Sequence, residues 1–142
     1  MAVFTVIDPY LFEQELRRDF EDFNKRHGDN FKLDSVMDLA ADPNYPLEFF
    51  AYDGNPINGW CLVGLEHDLL TGESFVLGWL AYSRKRGSLL GQVYSDLERL
   101  AREAGADYVE IRTKLDKMGT NCLHKGYRKT ESIYRKRISQ NG

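Results

Sequence analysis

Apolar residues recur along the chain with two periods, and the changes between them mark the elements. Phe12, Leu16, Phe20 and Phe23 return every three or four positions, which is the spacing of one helical face. Asp8-Pro9 reads as an N-cap with proline at the first helical position, and Gly28 as the stop. A shorter helix starts at Asp34, buries Val36, Met37 and Leu39, and is broken by Asp42-Pro43 and Tyr45-Pro46. The pattern then becomes that of strands. Leu47 to Tyr52 is a short apolar strand, Asp53-Gly54-Asn55-Pro56 a turn, Ile57 to Glu66 a second strand, Thr71-Gly72 a turn, and Ser74 to Tyr82 a third strand. Connections this short predict an antiparallel meander.

Beyond Tyr82 the helical period returns. Leu89/Leu90, Val93/Tyr94, Leu97 and Leu100/Ala101 form a stripe that Gly105 ends. Asp107 to Lys114 alternates through Val109 and Ile111 as a further strand. Strand, helix and strand make a crossover, so the strands on either side of the helix are expected to run parallel. Asp116 to Lys125 reads as a short helix stopped by Gly126, and Arg128 to Ile138 as a final strand. The expected architecture is α/β (α+β): a mixed sheet, built as an antiparallel meander followed by a βαβ unit, with helices on both faces. Residues 1–142 are expected to form one domain.

Composition narrows the function. Of 142 residues, 42% are hydrophobic and 13% aromatic, enough for a real core in one domain. No apolar run approaches the roughly 20 residues of a membrane span, so no membrane partner is expected. The opening MAVFTVIDPY lacks the layout of a signal peptide. Cys61 and Cys122 have no CxxC partner, which argues against a metal or a disulfide and points to a reducing, cytoplasmic setting. The net charge of −3 hides an asymmetry. Residues 1–83 hold three Asp/Glu for every Lys/Arg, whereas 84–142 hold two Lys/Arg for every Asp/Glu. The basic half suits an anionic ligand and the acidic half a cation, although two complementary solvated surfaces explain the same counts. Arg128, Lys129, Arg135, Lys136 and Arg137 interleave with Tyr127 and Tyr134. The chain is net acidic and carries no recognised binding motif, so nucleic acid is not the expected partner.

Chemistry concentrates in Ser83-Arg84-Lys85-Arg86-Gly87-Ser88-Leu89-Leu90-Gly91, which links a strand to a helix. A helix's first turn has unpaired N–H groups and the positive end of the dipole, and glycines let a ligand approach the backbone. Together these make an anion site, commonly one for phosphate. Three adjacent cations add attraction. A solvated basic turn has the same sequence.

At this point the chain resembles the GNAT family of acyl-CoA-dependent N-acetyltransferases, in element order from Leu47 to Ile138. The likeness is strongest from Trp79 to Gly105 and from Asn121 to Ile138. In the family's phosphate loop, Arg/Gln-x-x-Gly-x-Gly/Ala, the three defining positions are occupied here by Arg86, Leu89 and Gly91. Ala104-Gly105-Ala106 resembles the family's helix close. Gly126-Tyr127 and the segment Glu131 to Lys136 resemble its C-terminal ending, and also that of small GNAT-like proteins of tailed phages. The resemblance implies that Leu80, Ala81 and Tyr82 splay from the next strand and offer backbone groups to pantetheine. It implies that Arg86, Gly87, Ser88, Leu89, Leu90 and Gly91 cradle the pyrophosphate of acetyl-CoA, with Asn121 beside the cofactor. The acceptor it implies is an amine, on a small molecule or a protein, which the acidic half attracts.

The chain departs from the pattern twice. Leu89 stands at the loop's middle glycine, and Cys122 at the tyrosine that protonates the leaving thiolate in many members. A thiol can donate a proton, so Cys122 competes with His124 and Tyr127 for this role, and each also reads as a packing or helix-end residue. Glu66, His67 and Glu73 are the candidate bases, Glu73 as the residue that opens its strand. The departures keep open a second reading: a catalytically inactive GNAT-like protein in a phage particle or directed at a host, with a protein partner or its own copies as ligand. Trp60, Trp79 and the phenylalanines of the first helix would then serve an interface, although core packing explains them more simply.

Overall fold

In the computed structural model, which describes residues 2–84, 90–112, 116–131 and 133–138, the strand Leu47–Tyr52 buries both of its faces. Leu47, Phe49 and Ala51 face one side while Phe50 and Tyr52 face the other, so it reads as an apolar run rather than an alternation. Its neighbours define the sheet. With β1 (Phe4–Ile7), β2 (Leu47–Tyr52), β3 (Trp60–His67), β4 (Ser74–Tyr82) and β5 (Tyr108–Ile111), the order is β1-β2-β3-β4-β5. The first three pairings are antiparallel, and β4 and β5 run parallel. The expected mixed α+β sheet, meander first and βαβ unit second, is the architecture found.

Helices cover both faces. On one side, α1 (Glu13–His27) and α2 (Leu33–Ala40) bring Leu16, Phe20, Leu33 and Met37 onto Phe49, Trp60, Leu62 and Tyr82. On the other, α3 (Leu90–Ala104) brings Val93, Leu97 and Ala101 onto Phe50, Tyr52, Cys61, Val63 and Val76. The phenol of Tyr52 donates to Asp96 of α3 at 2.8 Å, tying the helix to the centre of the sheet.

Two expected starts move by three residues or more, and one expected strand does not form among the described residues. Asp8 caps a 3-10 turn at Pro9–Phe12, and the α-helix starts only at Glu13. The strand expected from Ile57 begins at Trp60, because the Asn55 side chain accepts from Ile57 N and winds Pro56–Asn58 into a 3-10 turn. No strand forms among the described residues of 128–138. Ile133, Tyr134 and Ile138, the apolar residues of that alternation, are exposed, so no burial drives it into a ladder. One strand was not foreseen. In β1, Phe4 is buried and Val6 half exposed although they share a face, which erases the period.

The chain divides into two compact units, Met1–Arg112 and Thr113–Gly142. The first holds the sheet with α1, α2 and α3; the second holds α4 (Asp116–His124). Gly126 at φ +88° ends α4, where Tyr127 N donates to Cys122 O at 3.0 Å and Gly126 N to Leu123 O at 3.2 Å. This is a Schellman stop, which explains the glycine.

Candidate active site

The parallel ladder between β4 and β5 is short. It runs from Phe75 opposite Tyr108 to Gly78 opposite Ile111. β4 continues to Tyr82, and among the described residues Leu80, Ala81 and Tyr82 pair only with β3. β4 carries a bulge against β3 at this level: Leu62 pairs with Leu80 but Val63 with Gly78, leaving Trp79 as the extra residue. Bulges bend a strand and re-aim a side chain.

Two glycines make room for the bend. A Cβ on Gly78 would lie 3.1 Å from both Ile111 Cδ1 and Leu97 Cδ1, so α3 and β5 close on the strand there. A Cβ on Gly64 would lie 3.0 Å from Trp79 Nε1 and 3.6 Å from Glu66 Oε1. The indole therefore rests on the glycine, at 36% exposure. Arg112 stacks on the ring at 5.5 Å and pairs with Glu110 at 2.8 Å. This places Trp79, Glu110 and Arg112 together at the end of the ladder, with the Glu66 carboxylate reaching back from opposite Phe75 to lie beside Gly64.

The chain leaves β4 through contacts to α1. Tyr82 is buried, and its hydroxyl donates to Asp22 Oδ2 at 2.7 Å. Burial first, and that hydrogen bond second, push the phenol up to about 12, so it stays a donor at physiological pH. Arg26 pairs with Asp22 at 2.7 Å, lies 5.0 Å from the centre of the Tyr82 ring, and donates to the carbonyls of Ser83 at 3.1 Å and Arg84 at 3.2 Å. Arg84 in turn donates to Asp19 Oδ1 at 3.3 Å, while Trp60 donates to Asp19 Oδ2 at 3.0 Å. Arg84 is thus paired with a buried carboxylate. Of the three adjacent cations expected to add attraction in this turn, the first is therefore engaged by α1.

The remaining expected residues fall as follows. Leu80 packs partly buried against the α1/α2 core, Ala81 is exposed, and Leu90 and Gly91 open α3. Arg86, Gly87, Ser88 and Leu89 lie outside the described residues. Glu73 is exposed and precedes β4, at the hairpin end of the strand. Asn121 and Cys122 lie on α4, Cys122 buried, and Tyr127 follows its stop. Sequence reasoning missed Asp19, Asp22 and Arg26. Their spacing on α1 was visible, but nothing local shows that a polar residue beside Phe20 faces inward. Among the described residues no group of three His, Cys, Asp or Glu is placed to hold a metal, and no helix is long and apolar enough to cross a membrane.

β4 runs past the last described rung of its parallel ladder, and α3 follows it. The fold is that of acetyltransferases of the GNAT type, and solved structures match it over nearly the whole chain. A ribosomal-protein-alanine N-acetyltransferase from Brucella melitensis biovar Abortus superposes with TM-score 0.68 at 14% identity, covering 97% of this chain and 98% of that one. An aminoglycoside acetyltransferase from an uncultured soil metagenomic sample, solved with sisomicin, superposes with TM-score 0.65 at 10% identity, covering 98% and 96%. A transcriptional regulator from Bacillus halodurans superposes with TM-score 0.70 at 14% identity, covering 97% and 100%. No family model matches the sequence, and no curated protein does. At these identities the likeness establishes the fold, and one fold hosts many functions.

Proposed function

We propose that this protein transfers an acetyl group directly from acetyl-CoA to a primary amine. One observation carries the reading: among the described residues the β4/β5 ladder ends at Gly78 and Ile111, while β4 runs on to Tyr82 and α3 follows. The residues present suit the ligand. Peptide groups of Leu80 to Tyr82 without a β5 partner among the described residues match the amides of a pantetheine arm. The first turn of α3, with Gly91 exposed, matches a pyrophosphate. The resemblance extends this cradle over Arg86, Gly87, Ser88, Leu89 and Leu90, and adds Asn121.

In this reaction the amine nitrogen attacks the thioester carbonyl, the C–N bond forms, and the C–S bond breaks. The nitrogen loses a proton and the departing sulfur gains one. Glu66, whose carboxylate turns back from opposite Phe75 towards Gly64 and the Trp79 indole, is our choice of acceptor for the first proton over Glu73, which is exposed before β4. The resemblance assigns the second proton to Cys122 or Tyr127. Holding the amine against the thioester supplies much of the rate.

Calorimetric titration with acetyl-CoA tests the reading. Saturable binding is expected. No heat at millimolar acetyl-CoA would overturn it and favour the catalytically inactive interaction protein. Gly91→Glu should abolish the binding, since a carboxylate in the first turn of α3 opposes the phosphates. Unchanged affinity in that variant would refute the placement of the loop.

A further inference from the structure

Trp79 is placed by the backbone rather than by the core. As the extra residue of the bulge it stands outside the alternation of β4, and its indole lies over Gly64, where a missing side chain leaves the room. Among the described residues neither side of the packed core takes in the ring. What covers it is charge. The Arg112 guanidinium lies 5.5 Å from the ring centre, within the roughly 6 Å of a cation–π contact, and Glu110 Oε2 holds it at 2.8 Å. Glu66 turns a second carboxylate to the same glycine.

An aromatic face and a carboxylate are groups that recognise an organic cation, and here they hold one supplied by the chain itself. The hold is loose. The Arg112 side chain is 42% exposed, and an ion pair and a cation–π contact this open to water are both at the weak end of their ranges. Another cation of the same chemistry can therefore replace Arg112 once that one side chain rotates away. Position gives the site a use. Trp79 is the first residue of β4 beyond its last described rung with β5, and it precedes Leu80, where the reading above brings the pantetheine arm. A nitrogen held by an aromatic face and a carboxylate keeps its proton and does not attack a thioester. The group that fits is a second cation of the acceptor, distinct from its reacting amine.

We propose that Trp79 and Glu110 form a cation-binding site for the acceptor, filled by Arg112 until the acceptor arrives, and that the acceptor carries a guanidinium or a comparable organic cation besides its primary amine. The proposal rests on the acyl-transfer reading above and names the substrate class of that site. Arg112 is then an internal competitor that the acceptor displaces.

Agmatine, with an amine at one end and a guanidinium at the other, is the probe. Titrated without acetyl-CoA and followed by the indole N–H resonances, it should move the Trp79 signal and leave that of Trp60, which is buried and donates to Asp19. A Trp79 signal that stays still up to millimolar agmatine overturns the site. Arg112→Ala removes the competitor, and affinity for agmatine should rise about tenfold. Arg102→Ala removes the same charge from an exposed position on α3, and its affinity should stay within about twofold of the wild type. Wild-type affinity in Arg112→Ala overturns the proposal, and so does an equal gain in both variants, which would mean that overall charge alone decides. Trp79→Leu keeps an apolar side chain without the π face. Added to Arg112→Ala it should cancel the gain, and a retained gain overturns the role of the ring. At equal low concentrations, thiol release from acetyl-CoA should be faster with agmatine than with pentylamine, which has the amine alone; equal rates overturn the assignment to the acceptor. If the wild type binds no acetyl-CoA, the transferase reading and the acceptor class fall together, while the agmatine titration still decides the cation site.

Discussion

Asp19 is the most unusual single residue in the molecule. It is 1% exposed on a helix otherwise turned inward by Leu16 and Phe20, and a buried carboxylate is costly unless paired. Desolvation raises its pKa above the usual carboxylate value, and the Trp60 and Arg84 contacts only partly oppose this. The sign follows directly. The folded state holds the proton to a higher pH than the unfolded chain does, so the contribution is favourable below about pH 4 and is lost as pH rises through the displaced value. Each pH unit of displacement is worth about 1.4 kcal/mol. Asp19→Asn cannot titrate, and its amide oxygen can still accept from Trp60. Urea unfolding of both proteins at several pH values should show the variant gaining on the wild type as pH rises from about 4, with the difference levelling off above the displaced value. A difference independent of pH would show that Asp19 does not titrate as its burial implies. The sequence displayed Asp19 as one more member of an acidic half and Arg84 as one of three adjacent cations. Their pairing joins residues far apart in the chain, and no local pattern encodes it.

At the scale of elements, the strands read most accurately were those set by burial on both sides. β2 and β4 match their sequence expectation to the residue, because apolar runs bounded by turn residues leave little freedom. β1 escaped notice because its partner, β2, lies beyond two helices, and because a four-residue edge strand carries almost no period. The expected strand after Tyr127 failed for the opposite reason, a period with too little to bury. The parting of β4 from β5 is what the resemblance implies, whereas the bulge at Trp79, between Gly64 and Gly78, is a tertiary feature that no local pattern shows. Gly78 is the test. Both atoms facing its missing Cβ are methyl tips at 3.1 Å, so alanine asks for a few tenths of an ångström from Ile111 and Leu97. Valine adds two further methyls to the same gap. Gly78→Val should destabilise by about 1–3 kcal/mol, the usual cost of overfilling a packed site. This would appear as a lower urea midpoint at unchanged slope. A midpoint equal to the wild type would mean that α3 and β5 do not close on β4 as tightly as the distances indicate.

At the scale of the whole molecule, fold and function separate. Superposition on acetyltransferases and on a transcriptional regulator with similar scores means that the backbone alone does not choose between catalysis and binding. Ligand linkage does choose. A molecule that binds only the folded state raises stability by RT ln(1 + [L]/Kd), about 2.7 kcal/mol at a hundred times Kd. In a domain of this size that corresponds to a rise in Tm of roughly 10 °C. Acetyl-CoA should produce such a shift in a thermal melt. The protein is net acidic and the ligand is polyanionic, so the attraction must come from local charge and peptide dipoles rather than from the overall field. Local attraction weakens as salt shortens the screening length from about 10 Å at 0.1 M to about 3 Å at 1 M. The shift should therefore persist at 0.1 M salt and shrink towards 1 M, whereas an effect of non-specific crowding or of the acetyl group alone would not depend on salt in this way. No shift at saturating acetyl-CoA in low salt would leave the fold as a scaffold without its nucleotide and return the basic turn before α3 to the solvent.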